Sequence, residues 1–186
     1  MPNATKVIQL EGANLVNAGT AATGSTALEY GDGYTHTTVL TVNTTLPAIA
    51  GGAALGIGKL LYTLPAGAVL IPSSYFSLAI TQTQGNITAD TPVVGLGTTI
   101  ASGAVSVLSG TAAFQNISAG KAATNCNGAA TTQTATATVS PFSLVIAATG
   151  GLNHTIYANV AGTWTAGGDA AALLTGTVVL NWQFMA

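Results

Sequence analysis

Few side chains in this sequence could do chemistry, and their spacing decides what that chemistry would be. Glu29 and Asp32 stand three residues apart, beside Gly31 and Gly33. Two close carboxylates can share acid–base work or bind Ca²⁺, although a turn between a loop and a strand uses the same residues. His36 and His154 each fall in a segment that reads as a strand, without a second ligand at metal-binding spacing. Cys126, in Asn125-Cys126-Asn127-Gly128, would need a neighbouring base to act as a nucleophile, and the local sequence offers none. Glu11 and Asp90 have no partner in sequence. The run Gly51-Gly52-Ala53-Ala54-Leu55-Gly56-Ile57-Gly58-Lys59-Leu60 approaches a phosphate loop but departs from it twice. The first glycine of the pattern falls on Ala53, and Leu60 stands where a hydroxyl would bind Mg²⁺. A flexible loop entering a strand is the expectation there. No Gly-x-Ser-x-Gly elbow occurs. The sequence therefore assigns no catalytic residue, no cofactor-binding residue and no metal ligand, and the chain is expected not to be an enzyme.

The elements that would position these residues are strands. From Leu174 to Phe184 the even positions carry Leu174, Val178, Leu180, Trp182 and Phe184, while the odd ones are mostly polar. A period of two puts one face on a core and the other toward solvent. Trp182 and Phe184 are expected to be buried with Leu180 and Val178. Further strands are predicted at Lys6–Leu10, Tyr34–Asn43, Lys59–Leu64, Tyr75–Thr81, Thr98–Ala101, Ala112–Asn116, Phe142–Ile146 and His154–Val160. Leu60, Tyr62 and Leu64 should share one face, and so should Phe76, Leu78 and Ile80. Asp169–Leu173 could form one helical turn capped by Asp169. Gly12–Gly33 shows no periodicity and reads as an N-terminal arm or long loop. Ala119–Ser140 reads as a surface loop or a flat edge strand. The expected fold is all-β, an antiparallel sandwich of jelly-roll type over residues 34–186, preceded by an irregular arm over 1–33.

Composition supports that class. The chain has 186 residues, with 34 Ala, 30 Thr and 23 Gly. Thr is β-branched and favours strands, and Gly supplies turns. Only 4% of residues are charged, against about 25% in ordinary domains. Between Asp90 and Asp169 the only charge is Lys121. Spread over roughly 8,000 Å² of surface, eight charges are too few to keep a monomer soluble in the usual way. Much of the surface should be covered by other subunits or coated by neutral hydroxyl and amide groups. Three lysines and no arginine cannot grip phosphates, so no nucleic-acid partner is expected. No basic patch offers itself to an anionic membrane.

The apolar stretch from Leu46 to Ile71 is cut by Lys59, Pro47, Pro65 and five glycines, and is not read as a membrane span. The N-terminus shows no signal peptide, and a single cysteine excludes an intrachain disulfide, as expected of a protein made in a reducing compartment. Asn-x-Ser/Thr triplets begin at Asn3, Asn43, Asn86, Asn116 and Asn153; with so many threonines, chance supplies most of them.

Three segments carry a resemblance: Gly58-Lys59-Leu60-Leu61-Tyr62-Thr63-Leu64-Pro65-Ala66-Gly67, Asp90-Thr91-Pro92-Val93-Val94-Gly95-Leu96-Gly97-Thr98, and Gly176-Thr177-Val178-Val179-Leu180-Asn181-Trp182. From Gly58 to the C-terminus the chain resembles structural proteins of tailed bacteriophages, especially small capsid decoration, or cement, proteins. The resemblance implies a β-sandwich, often trimeric, bound to the outer face of a shell of major capsid protein. It implies a virion protein made in the host cytoplasm, with no cofactor. Two other readings share the composition. One is an extracellular or cell-surface adhesin or surface-layer module, against which the absent signal peptide speaks. The other is a phage tail or fibre subunit, which should show repeats that this chain lacks.

Overall fold

The computed structural model describes residues 19–32, 34–48, 56–82, 92–103, 105, 107–122, 131–137, 144–146, 154–162 and 172–185. They form eleven strands, β1 (Thr20–Ala21), β2 (Ser25–Gly31), β3 (Thr35–Thr45), β4 (Gly56–Thr63), β5 (Val69–Gln82), β6 (Val93–Gly97), β7 (Ser118–Ala122), β8 (Thr131–Ala137), β9 (Leu144–Ile146), β10 (Thr155–Ala161) and β11 (Leu173–Phe184). Two short 3₁₀ turns lie between β6 and β7, and the described residues contain no α-helix.

The strands make two antiparallel sheets, ordered β1-β4-β10-β6-β7 and β2-β3-β11-β5-β8, with β9 also pairing β5. The chain alternates between sheets so that β3, β11, β5 and β8 lie over β4, β10, β6 and β7. That is the double-sheet jelly roll, and it bears out the all-β sandwich. β1 and β2 extend the two sheets at one edge.

Alternation fills the space between the sheets. On β11, Leu174, Val178, Leu180 and Trp182 are fully buried, and Phe184 packs against the core while remaining partly exposed. On β5, Phe76, Leu78 and Ile80 are buried as expected. Both strands sit in the middle of their sheet, where a register slip would turn every one of these side chains to solvent. Pro72 lies inside β5 but cannot donate a ladder hydrogen bond. The β5–β11 register shifts there, between Asn181 and Gln183.

Several expectations are corrected. Residues 20–31, within the supposed arm, form β1 and β2, and β2 pairs with β3 over its whole length. β2 lacks apolar periodicity because its inward positions are Ala27, Glu29 and Gly31. Thr98–Ala101 is not a strand; the strand lies just before it, at β6. Ala112–Phe114 is a 3₁₀ turn. Leu173 opens β11 rather than closing a helical turn. Leu60 does not share the buried face with Tyr62: a register shift between β10 and β4 buries Leu61 and Tyr62 in succession, leaving Leu60 half-exposed. Ser118–Ala122 and Thr131–Ala137 are strands within the stretch left open as loop or edge, and β8 is the edge strand of its sheet. Lys6–Leu10 and Asp169 lie outside the described residues.

Gly176 marks the tightest point of the central ladder. Its φ is +140°, and a Cβ there would press into the carbonyl oxygen of Ser77 on β5. Gly176→Ala should lower stability by about 1–3 kcal/mol, the usual cost of a strained backbone position. The outward Thr177→Ala should cost well under that. Thermal melts of the two variants check it.

Candidate functional site

Two of the residues singled out for their chemistry, Glu29 and His36, meet at the edge of the sandwich where β2 and β3 lie over β4. Glu29 and His36 are diagonal neighbours across the β2–β3 hairpin, whose register sets Glu29 against Thr38 and His36 against Gly31, and both side chains are buried. The His36 Nδ1–H donates to Glu29 Oε1 at 2.6 Å. The Tyr62 hydroxyl, from the opposite sheet, donates to Glu29 Oε2 at 3.1 Å. His36 pairs directly with Trp182 in the β3–β11 ladder. Their rings stack with centroids 4.0 Å apart and planes 4° from parallel. Phe184 closes the stack edge-on, 5.8 Å from His36 and 5.3 Å from Trp182. The Trp182 Nε1–H donates to Thr38 Oγ1 at 2.8 Å.

A carboxylate that orients an imidazole is the geometry of a catalytic base, and a general base must come within hydrogen-bond reach of a substrate proton. Here the pair is sealed. Glu29 is 2% exposed, His36 4%, and Tyr62, Thr38 and Trp182 not at all. The cluster acts instead as a polar clasp between the sheets. Burying polar groups costs energy unless they are hydrogen-bonded, and these residues largely satisfy one another, although His36 Nε2 has no protein partner. Burial, and then the nearby Glu29 carboxylate, push the Tyr62 phenol up to about 12, while bonds from Thr38 and the Gly19 backbone pull the other way.

The remaining candidates are separated. Asp32 does not join Glu29; it sits exposed in the hairpin turn, where its Oδ1 accepts the backbone N–H groups of Tyr34 (3.1 Å) and Thr35 (2.9 Å). The His154 Nε2–H donates to the Gly67 carbonyl at 2.7 Å and ties two loops together. Gly56–Leu60 is strand β4 paired with β10, not a phosphate loop leading to a helix. Asn43 is exposed on β3, and Asn116 is engaged with Thr98. Cys126, Glu11, Asp90, Asn3, Asn86 and Asn153 lie outside the described residues. Among the described residues no group of three or more His, Cys, Asp or Glu could hold a metal ion. A groove of about 260 Å³ beside the turn from β1 to β2 is lined by Lys59, Tyr157 and Ile100 among others. One ammonium and one phenol could meet an anionic or amide group there.

One residue that the sequence did not flag organises the other sheet. Asn159, fully buried on β10, accepts the Ala101 N–H and donates to the carbonyls of Thr99 and Phe114, all at 2.8 Å. It pins the loop between β6 and β7 onto the sheet. Its only sequence signal is an amide on a strand of otherwise apolar and small residues.

Two outcomes follow from the clasp. Trp182→Ala should cost about 3–5 kcal/mol, the range for emptying a buried aromatic site, a large part of a typical total of about 5–15 kcal/mol. A chemical denaturation curve measures it. Tyr62 gives a pH dependence. Below pH 10 its phenol is protonated in both folded and unfolded chains, so it contributes no change. Between 10 and about 12 the unfolded chain releases the proton first, so stability falls as pH rises. The melting temperature of the wild type should drop over that window by more than that of Tyr62→Phe.

No protein-family model matches the chain, and no curated protein matches it. Among solved structures, an arabinose-bound α-L-arabinofuranosidase aligns at 12% identity with a TM-score of 0.35, over 91% of this chain and 24% of its own length. The chain thus spans about a quarter of that protein.

Proposed function

We propose that the chain is a structural protein of a phage virion, a decoration or cement protein that binds the outer face of the capsid and stabilises the shell without catalysing a reaction. The observation that carries this reading is a jelly-roll sandwich with almost no charge. Glu29 and His36 are the only acidic or basic residues on β2, β3, β5 and β11, and both point into the core. Jelly rolls serve viral capsids and lectins alike, so the fold agrees with the reading and does not decide it. The neutral surface and the resemblance over Gly58 to the C-terminus favour the capsid. The major capsid protein is the partner, and the site of action is the virion surface.

Stabilisation follows from mass action. A protein that binds only the assembled shell stabilises it by about 2.7 kcal/mol per site at a hundredfold excess over Kd. A lattice repeats that contribution at every site, against the pressure of packaged DNA.

The test uses particles of the phage that encodes the chain. The chain should co-sediment with DNA-filled heads, and adding purified protein to heads that lack it should raise the temperature at which they release DNA. A chain that stays in the supernatant, or that follows isolated tails, would overturn the capsid reading.

A further inference from the structure

The outward face of the larger sheet carries an apolar row that is symmetric about its centre. Register sets Leu28 on β2 against Val39 on β3, Val39 against Val179 on β11, and Val179 against Tyr75 on β5. All four point away from the core, since their chain neighbours Glu29, Leu40, Val178, Leu180 and Phe76 are buried. Leu28 is 45% exposed and Tyr75 40%, with the two valines half-buried between them. The row reads large, valine, valine, large, and spans about 14 Å at the usual strand spacing of about 4.8 Å. The rows on either side are neutral. On one side Thr37 donates to Asn181, and Asn181 donates to Ser73, each at 2.8 Å. On the other, Thr41 and Thr177 lie side by side.

We propose that this face pairs with the same face of a second copy of the chain. A two-fold axis lying in the interface, along the strands and between β3 and β11, sets Leu28 of one copy over Tyr75 of the other and Val39 over Val179. A two-fold contact places each end of the row on the other end, so apolar groups meet apolar groups along its whole length. The four strands offer a face about 20 Å wide and about 35 Å long, or about 700 Å² per copy. A standard stable interface buries about 800 Å² per partner. No charge has to be desolvated, and depletion of charge is the mark of an interface core. The proposal does not depend on the capsid reading. It does constrain the oligomer. A two-fold contact builds even-numbered assemblies, so the trimer implied by the resemblance would occur as two trimers joined face to face.

Light scattering on the purified chain at micromolar concentration tests it. The wild type should show the mass of a dimer or a larger even multiple. Leu28→Lys and Tyr75→Lys, both at exposed ends of the row, should halve that mass or weaken association at least tenfold while keeping a cooperative melt. Tyr75→Phe should keep the wild-type mass. Val107→Lys, exposed in the loop that covers the other sheet, should leave it unchanged. Should a lysine variant fail to fold, Tyr75→Thr, which suits an exposed strand position, takes its place with the same expected loss. A wild-type monomer or plain trimer would overturn the proposal, as would a folded Leu28→Lys and Tyr75→Lys pair that retain the wild-type mass. Particle co-sedimentation reads the capsid function separately.

Discussion

The stack of Trp182 on His36, tied through Glu29 to Tyr62, is the constraint on which the sandwich depends. Two β-sheets can slide or rotate over an apolar layer with little change in buried area. A hydrogen-bonded set drawn from β2, β3, β11 and β4 cannot, because each partner has one geometry that satisfies it. The clasp also sets register within the sheet, since Trp182 must lie directly beside His36. Losing one partner would leave a buried carboxylate or imidazole uncompensated, which costs far more than a surface pair.

The clasp has a second consequence. It takes up three titratable groups, Glu29, His36 and Tyr62, and seals them from solvent, so the surface left for recognition is almost purely hydroxyl, amide and aliphatic. Such a surface recognises by shape and by neutral hydrogen bonds rather than by long-range attraction. The two sheets meet this in different ways. The outer side of the smaller sheet is covered by the loop that Asn159 holds down, with Leu108, Phe114 and Ala101 packed beneath it. The outer side of the larger sheet has no such cover from the described residues. This uncharged face, left uncovered by the described residues, is the one that the proposed self-contact uses.

The strands whose partners bury one face were legible as strands. Leu174 to Phe184 and Tyr75 to Ile80 alternate cleanly because each lies in the middle of a sheet with one side on the core. β2 was not legible. It is an edge strand whose inward positions hold Ala27, Glu29 and Gly31, so its amphipathic signal is absent even though every residue pairs with β3. β4 misled in a different way, because a bulge reverses its alternation and no local residue type announces that. Thr98–Ala101 and Ala112–Asn116 looked like strands from their composition, but they belong to a loop whose shape is dictated by Asn159, more than forty residues away in sequence.

The sequence by itself determined the class of this protein: β-branched residues, glycine punctuation and a period of two leave an antiparallel sandwich as the way to bury its apolar side chains. It also determined the near-absence of charge, on which the expectation of no nucleic-acid partner rests. Only the tertiary structure decided that Glu29 belongs with His36 and Tyr62 rather than with Asp32. β2 turns Glu29 inward and ends at Gly31, which leaves Asp32 in the hairpin turn, and it takes the opposing sheet to bring residue 62 within reach. The same holds for Leu28, Val39, Val179 and Tyr75. They are unrelated in sequence and become a single row only because four strands align in one register.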